Sequence, residues 1–194
     1  VEKAGVFVGT LPDSLGVANT AVRWAGVEWT MLIWPPPAEK TNRGVLLAHE
    51  HWHRGQDDLG IPMASPPNRH LATAEGRIWL QLEWRALRKA LMSSDEAQRQ
   101  AIEDALLFRA HRRSLFPEGA KEESALELNE GLAEYTGVAV ALPMRQARIE
   151  RSAESLLKAE SKESFTRSFA YASGPAYGLL LDEHTASWRD TARS

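Results

Sequence analysis

The chain of 194 residues contains no cysteine. This absence excludes disulfide bonds, thiolate metal sites and cysteine nucleophiles, and it leaves the redox compartment open. A metal ion in this protein would therefore have to be held by histidine, aspartate or glutamate side chains.

Long apolar runs and an excess of basic residues are missing as well. No stretch approaches the about 20 apolar residues that a membrane-spanning helix needs. The formal net charge of −3 argues against a dedicated nucleic-acid-binding protein. Hydrophobic residues make up 43% of the chain and charged residues 25%, as in soluble globular proteins. We expect a soluble protein with no membrane span and no nucleic-acid partner.

The sequence does not determine the compartment. The chain begins at Val1 rather than at methionine, which favours a removed leader and so a secreted or periplasmic location, but no signal peptide is visible. The length suits a single domain, 1–194, with a sizeable core, and no internal repeat or domain-sized linker divides it.

Signals for β-structure are confined to residues 5–34. The later part of this region is rich in β-branched and aromatic residues, with a hairpin expected near Gly26, and three consecutive prolines then end strand pairing. We predict two or three strands. The tryptophans Trp24, Trp29 and Trp34 are interpreted as core and sheet-face packing rather than as a stack for a ligand.

The rest of the chain has helical periodicity to about residue 190. Apolar residues recur at helical spacing, and turn residues and prolines divide the pattern into six helices. Gly174-Pro175 is interpreted as the start of the last of them. The predicted helices span 43–54, 70–92, 94–115, 120–141, 143–160 and 176–183. The predicted fold class is therefore α+β, with a small N-terminal β-sheet (about 5–34) followed by a mainly helical lobe (about 43–190).

The helix predicted at 43–54 carries the motif His49-Glu50-x-x-His53. Positions i and i+4 lie above one another on one helix face, so the two imidazoles converge. Two imidazoles suit a zinc ion, and Glu50 beside it could take a proton from a metal-bound water. The preceding run Val45–Ala48 is apolar, and polar groups on a buried helix need a reason to be there. The alternative is a short motif that arose by chance.

A catalytic zinc site needs a third protein ligand and an open position for water. Glu130 is the best candidate, because it shares one helix face with Glu134, and Gly131 lets another helix approach closely. Two carboxylates on one apolar face repel each other unless a cation or a donor separates them. With Glu130 on the metal and Glu134 bonded to the far nitrogen of a ligand histidine, both would be satisfied. A solvated acidic helix face is the alternative.

These motifs resemble those of the gluzincin metallopeptidases, the zinc enzymes of the thermolysin and zinc-aminopeptidase kind. The motif of the first helix is similar to the family's two zinc histidines and general base. Leu128–Ala133 is similar to the downstream Asn-Glu-Gly helix, whose glutamate is the third ligand. Tyr171, three residues before Gly174, resembles the tyrosine of the aminopeptidase-type segment, whose hydroxyl stabilises the oxyanion. The alternative is that Tyr171 is a core aromatic residue. Tyr177 is a weaker candidate for the oxyanion role.

The resemblance implies a thermolysin-like zincin catalytic domain that binds Zn²⁺ and hydrolyses a peptide or protein substrate. Glu50 would assist the attack of a zinc-bound water on the peptide bond. The segment 22–33 would bind extended substrate by strand addition. The implied site consists of the zinc ligands His49, His53 and Glu130, the catalytic residues Glu50 and Tyr171, and the surrounding residues Asn129 and Glu134.

The chain departs from the family pattern in two places. Residues 54–129 separate the two zinc motifs by more than in most relatives, so the helices 70–92 and 94–115 would be an insertion or a relocated part of the helical lobe. No Gly-rich recognition segment precedes the first helix, so the resemblance does not extend to amino-terminal exopeptidase specificity. Two alternatives stay open: a non-catalytic zinc-bearing domain that binds or scaffolds a partner, and a zinc hydrolase of non-peptide esters or amides.

The remaining charged groups are interpreted as structural. The acids Asp57 and Asp58 fit a solvated turn, since no further oxygen ligands follow at loop spacing. The basic group near the end of the helix 94–115 complements the helix dipole. This group consists of Arg109, Arg112 and Arg113. The other histidines are also interpreted as structural, because they lack a ligand partner at helical spacing: His51, His70, His111 and His184.

Overall fold

In the computed structural model the strands come first and the helices follow, so the predicted α+β class is confirmed. The structure describes residues 2–3, 5–185 and 187–191, and the other residues of the predicted domain, 1, 4, 186 and 192–194, lie outside the described residues. Two short antiparallel pairs form the β part. β1 (Glu2–Lys3) pairs with β2 (Val6–Phe7), and β3 (Thr20–Trp24) pairs with β4 (Val27–Met31).

The β3–β4 hairpin turns at Ala25 and Gly26, both of which have positive φ angles, 51° and 77°. A two-residue turn of this kind matches the twist of the flanking strands, and glycine adopts it without strain. The register pairs Trp24 with Val27 at the turn and Thr20 with Met31 at the open end. Both strands contact the first helix, so the hairpin lies over the helix that carries the histidine motif.

The predicted burial of the three tryptophans is wrong. Trp24, Trp29 and Trp34 are 51%, 49% and 84% exposed. Trp24 and Trp29 contact each other, with ring centroids 6.4 Å apart, and the Trp29 Nε1–H donates to the Trp24 carbonyl oxygen. A two-stranded hairpin offers little area for a second layer to cover, which explains why aromatic side chains remain at the surface.

The helical part follows the predicted order with shifted ends. The helices are α1 (Lys40–Gly55), α2 (Ala74–Leu91), α3 (Asp95–Leu115), α4 (Pro117–Leu126), α5 (Leu132–Ala141), α6 (Arg145–Ala159), α7 (Phe169–His184) and the single turn α8 (Trp188–Thr191). A π-helical turn (Glu127–Gly131) joins α4 to α5, and 3-10 turns lie at Asp57–Leu59 and Arg69–Ala72. The predicted helix 120–141 is therefore two α-helices joined through a wider turn.

Two predicted helix starts are wrong for identifiable reasons. The predicted helix 70–92 begins later, because the Thr73 hydroxyl accepts the Gly76 N–H at 3.1 Å and caps α2. The predicted start at Gly174-Pro175 lies inside α7, which begins at Phe169. Proline lacks the N–H that would bond the carbonyl four residues earlier, so α7 continues through Pro175 without that bond.

The main core lies among α2, α3, α6 and α7. Its largest fully buried side chains include Trp84, Phe165 and Phe169, and the Trp84 Nε1–H donates to Ser173 Oγ of α7 at 2.8 Å. The helix α5 packs between α1 and α7. A Cβ on Gly137 of α5 would lie only 2.7 Å from the carbonyl oxygen of Val45, so α1 and α5 are in close contact. This packing brings α1, the π turn and α7 to one place.

Within the described ranges, no helix combines the length and the apolar composition that crossing a membrane requires.

Candidate metal centre

The helix α1 presents His49 and His53 side by side on its buried face. Their Nε2 atoms are 3.1 Å apart, and their ring planes meet at 70° with centroids 4.9 Å apart. Glu39 caps the N-terminus of this helix, because its carboxylate accepts the N–H groups of Thr41 and Asn42 at 2.8 and 2.6 Å. The two imidazoles converge as the i, i+4 spacing predicts.

The π turn brings Glu130 to the two histidines. Glu130 Oε2 lies 3.3 Å from His49 Nε2 and 3.4 Å from His53 Nε2. The Leu132 N–H bonds the carbonyl of Glu127, five residues earlier, so this turn holds one residue more than an α-helical turn. Single π turns of this kind are frequent at functional sites.

The three donor atoms form a triangle with edges of 3.1, 3.3 and 3.4 Å. Tetrahedral zinc with bonds of about 2.0–2.1 Å to nitrogen and oxygen places its ligand atoms about 3.3–3.4 Å apart. The group His49, His53 and Glu130 could therefore hold a metal ion through two nitrogens and one oxygen. It is the only group of three or more such donors among the described residues.

His49 is held from both sides. Its Nδ1 lies 3.0 Å from Glu134 Oε2, and the Tyr171 ring stacks on its ring at 5.5 Å and 8°. Burial disfavours the protonated ring, but the hydrogen bonds with Glu130 and Glu134 outweigh burial and raise the pKa of His49 to about 9. Carboxylates on both ring nitrogens therefore favour a positive charge at this position, which either a proton or a metal ion can supply.

His53 is oriented by Gln56, a residue that the sequence analysis missed. Gln56 is fully buried, and its Oε1 accepts from His53 Nδ1 at 2.9 Å. Its Nε2 group donates to Asn129 Oδ1 at 2.9 Å and to the Pro62 carbonyl at 3.1 Å. Gln56 thus bonds α1 to the π turn. Helical spacing was the available signal, since Gln56 follows His53 by three residues and His49 by seven, on the same face.

Glu130 is held by Tyr171 and Asn129. The Tyr171 hydroxyl donates to Glu130 Oε2 at 2.6 Å, and Asn129 Nδ2 donates to Oε1 at 3.2 Å. Burial alone would raise the pKa of Glu130, but hydrogen bonds with the two histidines and Tyr171 hold it well below the usual range. Burial also raises the pKa of the Tyr171 hydroxyl, and the bond to Glu130 raises it further, so this group stays a donor.

Two glycines bring Tyr171 to Glu130. A Cβ on Gly174 would lie 2.4 Å from the Cα of Gly131, so the π turn and α7 cross with no room for a side chain. Tyr171 precedes Gly174 by three residues, and Glu130 directly precedes Gly131. The close contact of the two glycines therefore sets the distance between the side chains of Tyr171 and Glu130.

Glu50 has an unusual environment. The residue is 5% exposed, and its Oε2 atom has no hydrogen-bond partner among the residues that the structure describes. Burial raises the pKa of the Glu50 carboxyl, although the charges of His49 and His53 oppose the rise. An unpaired buried oxygen is costly. Its presence here indicates a position for a water molecule or a substrate group beside the histidines.

The remaining sequence candidates lie away from this centre. His51 is exposed, and Asp57 and Asp58 lie exposed in a 3-10 turn, as expected for solvated groups. His70 bonds Glu123 at 2.8 Å. Tyr177, the weaker candidate for the oxyanion role, donates its hydroxyl to Glu83 at 2.8 Å and does not reach the metal centre.

Arg112 and Arg113 lie in the last turn of α3, as the helix-dipole interpretation expects, but all three arginines of this group also pair with glutamates of other elements. Arg112 is fully buried, donates through Nε to Glu123 Oε1 at 2.8 Å, and also donates to Glu83. Arg109 donates to Glu127 and Arg113 to Glu123. We call these residues the arginine–glutamate cluster: Arg109, Arg112, Arg113, Glu83, Glu123 and Glu127.

Comparison of the chain with protein-family models, with curated proteins and with solved structures found no match in any of the three.

Proposed function

We propose that this protein is a zinc-dependent metallopeptidase of the gluzincin kind, with a thermolysin-like zincin catalytic domain. The observation that carries the proposal is one juxtaposition. Three donor atoms of His49, His53 and Glu130 lie at tetrahedral spacing, and the buried Glu50 beside them has an unpaired carboxylate oxygen. A site that only held a metal would have no use for that carboxylate.

Zinc is the ion that best suits the donor set. Two imidazole nitrogens and one carboxylate oxygen match the ligands of catalytic zinc sites, which keep one position open. The hydrogen bonds around the two histidines are also those expected at a zinc site. The ring nitrogen that faces away from the metal position bonds Glu134 in His49 and Gln56 in His53. A zinc ion here would act as a Lewis acid that lowers the pKa of water and polarises a carbonyl group.

Glu50 is the proposed general base. Its carboxylate would take the proton of the attacking water and deliver it to the leaving amine as the peptide bond breaks. The raised pKa of Glu50 supports this role, because a base works best when its pKa approaches the working pH. Tyr171, whose raised pKa keeps the proton on the phenol, is proposed to turn its hydroxyl from Glu130 Oε2 and donate it to the developing oxyanion.

The β3–β4 hairpin is the proposed substrate-binding strand pair. It packs against α1, the helix that carries both histidines, and two strands alone leave edges unpaired. An extended peptide could add to such an edge through main-chain hydrogen bonds. The segment 22–33 would thereby hold a peptide or protein substrate next to Glu50.

A purely structural zinc site is less well supported. Structural sites are closed by a fourth protein ligand. The two residues nearest to that role are otherwise placed: His51 is exposed, and Glu134 bonds the far nitrogen of His49. Hydrolysis of a non-peptide ester or amide would use the same groups, so substrate tests must include those compounds.

The test combines zinc binding with turnover. We expect the wild-type chain to bind one zinc ion by metal analysis, and a hundredfold excess of zinc over Kd to stabilise it by about 2.7 kcal/mol. Glu50→Gln should keep the zinc and lose about 10²- to 10⁴-fold in peptide hydrolysis. His53→Ala should lose both. Peptide hydrolysis that persists in zinc-loaded Glu50→Gln would refute the mechanism, and ester turnover alone would favour the non-peptide alternative.

A further inference from the structure

A cavity of about 270 Å³ adjoins the metal centre. Tyr171 and Glu134 line it on one side, and α6 lines the other. Because the Tyr171 ring stacks on His49, the cavity lies one side chain away from the metal-ligand group. Its volume is slightly below the about 300–1,000 Å³ of typical small-molecule sites. A group of the size of one amino-acid side chain suits it.

The α6 side of the cavity carries more positive than negative charge. Arg151, Lys158 and Lys162 line it together with one acid, Glu154. Lys158 Nζ lies 2.7 Å from Glu154 Oε1, and Arg151 donates to the neutral Asn42 Oδ1 at 2.8 Å. Lys162 has no ion-pair partner within the described part of the chain. The charges of Lys162 and Arg151 are therefore not neutralised by a contacting carboxylate.

A hydroxyl group and the second acid of the cavity strengthen this pattern. Ser152 on α6 is 1% exposed, and its hydroxyl has no hydrogen-bond partner among the described residues. Glu134, the acid on the opposite side, already bonds His49 Nδ1 at 3.0 Å. The cavity thus offers two unneutralised cations and one unused donor, and each of its acids already has a partner.

We infer that this cavity binds a carboxylate group of the substrate, next to the peptide bond that is cleaved. The inference rests on the proposed function, because it names the substrate class of the same site. Lys162 and Arg151 would hold the carboxylate through charge-assisted hydrogen bonds, which are stronger than neutral ones. The carboxylate is supplied either by an acidic side chain or by a free C-terminus, and both present the same chemistry to the cavity.

The experiment uses peptide pools and the zinc-loaded protein. Each pool carries glutamate or glutamine at one position near the cleaved bond, with a free or an amidated C-terminus. We expect about tenfold higher kcat/KM for peptides that present a carboxylate, the worth of one charge-assisted hydrogen bond. A glutamate preference that survives amidation identifies the side chain, and faster cleavage of free than of amidated peptides without a glutamate preference identifies the C-terminus. Equal rates in all pools overturn the inference and leave the proposed function intact.

Variants and a binding measurement make the test independent of turnover. Arg151→Gln with Lys162→Gln should reduce the kcat/KM preference for carboxylate-bearing peptides about tenfold. Lys89→Gln, an exposed charge change on α2 outside the cavity, is the matched control. N-acetylglutamate should shift the NMR amide signals of α6 more than N-acetylglutamine amide does, because the amide carries no carboxylate. If no peptide is hydrolysed, the proposed function fails, and absence of this binding difference separately overturns the carboxylate site.

Discussion

Two groups of ionisable side chains lie inside this protein, and they differ in charge balance. The arginine–glutamate cluster pairs three arginines with three glutamates, and each of those glutamates accepts from an arginine. The metal centre has three glutamates, Glu50, Glu130 and Glu134, and no lysine or arginine contacts them within the described residues. Among the described residues, the cations that contact these glutamates would be protonated histidines.

This difference separates a group whose charges are balanced from a group that could take up a cation. A balanced, fully hydrogen-bonded group of buried charges needs nothing further, although it need not be more stable than an apolar core. Three carboxylates around two imidazoles need a positive charge from outside. An incomplete charge balance, unlike charge density alone, therefore marks a place where a proton or a metal ion could bind.

The two groups share structural elements, which explains why both are present. Glu127 of the cluster begins the π turn that carries Asn129 and Glu130. Tyr177, which donates to Glu83 of the cluster, follows Tyr171 on α7. The cluster therefore holds the π turn and α7 from one side while the metal centre uses their other side.

The sharpest way to break the comparison is to remove the central arginine. Arg112→Ala leaves the fully buried Glu83 and Glu123 without their shared counter-charge, and we expect a loss of about 3–5 kcal/mol in unfolding free energy. Urea denaturation monitored by circular dichroism measures it. Arg85→Ala, which removes the exposed arginine that binds Glu160, is the control and should cost much less. A loss no larger than the control's would show that the cluster does not stabilise the fold.

The next test sharpens the comparison at the metal centre. Gln56→Ala removes the acceptor of the His53 Nδ1–H and the bond to Asn129, without removing a proposed ligand. We expect zinc affinity to fall about 10- to 100-fold, as is usual when such outer partners are lost. Competition with a chelator of known affinity measures the change. Gln81→Ala, whose amide bonds a backbone carbonyl away from the site, is the matched control. Unchanged affinity in Gln56→Ala would remove Gln56 from the site.

The residues that were foreseen at the metal centre follow from local helix geometry. His49 and His53 lie one turn apart, and so do Glu130 and Glu134, so each pair had to share a face once its helix formed. The α+β order was foreseen from local signals too, because β-branched and aromatic residues concentrate before residue 35 and helical periodicity follows.

What was missed depends on packing between distant elements. No residue pattern announced the π turn. A close approach of another helix at Gly131 was predicted and is confirmed, but the sequence did not identify Gly174 of α7 as the partner. The ion pairs of Arg112 were missed because the sequence does not show that Glu83 and Glu123 surround it. The exposure of the tryptophans was not foreseen. Tryptophan is usually well buried, but the sequence does not show whether other elements cover the hairpin that carries them.

The smallest expected effect is the acid response of the cluster. Burial would raise the pKa of Glu123, but hydrogen bonds from His70 and Arg112 outweigh it and hold this pKa well below the usual range. A carboxyl whose pKa is lower in the folded than in the unfolded state stabilises the fold above the ordinary glutamate pKa of about 4.3 and loses this contribution as the pH falls.

In zinc-free protein, the unfolding free energy should therefore fall on acidification below that pKa, by up to about 1.4 kcal/mol per pH unit for this one proton. Glu123→Gln cannot take up the proton, so its unfolding free energy should depend less steeply on pH, even though the variant is less stable throughout. Urea denaturation at several pH values, from about 3 to about 5, compares the two slopes. Equal slopes would assign the acid sensitivity to other carboxyls, such as that of Glu130, whose pKa is also held below the usual range.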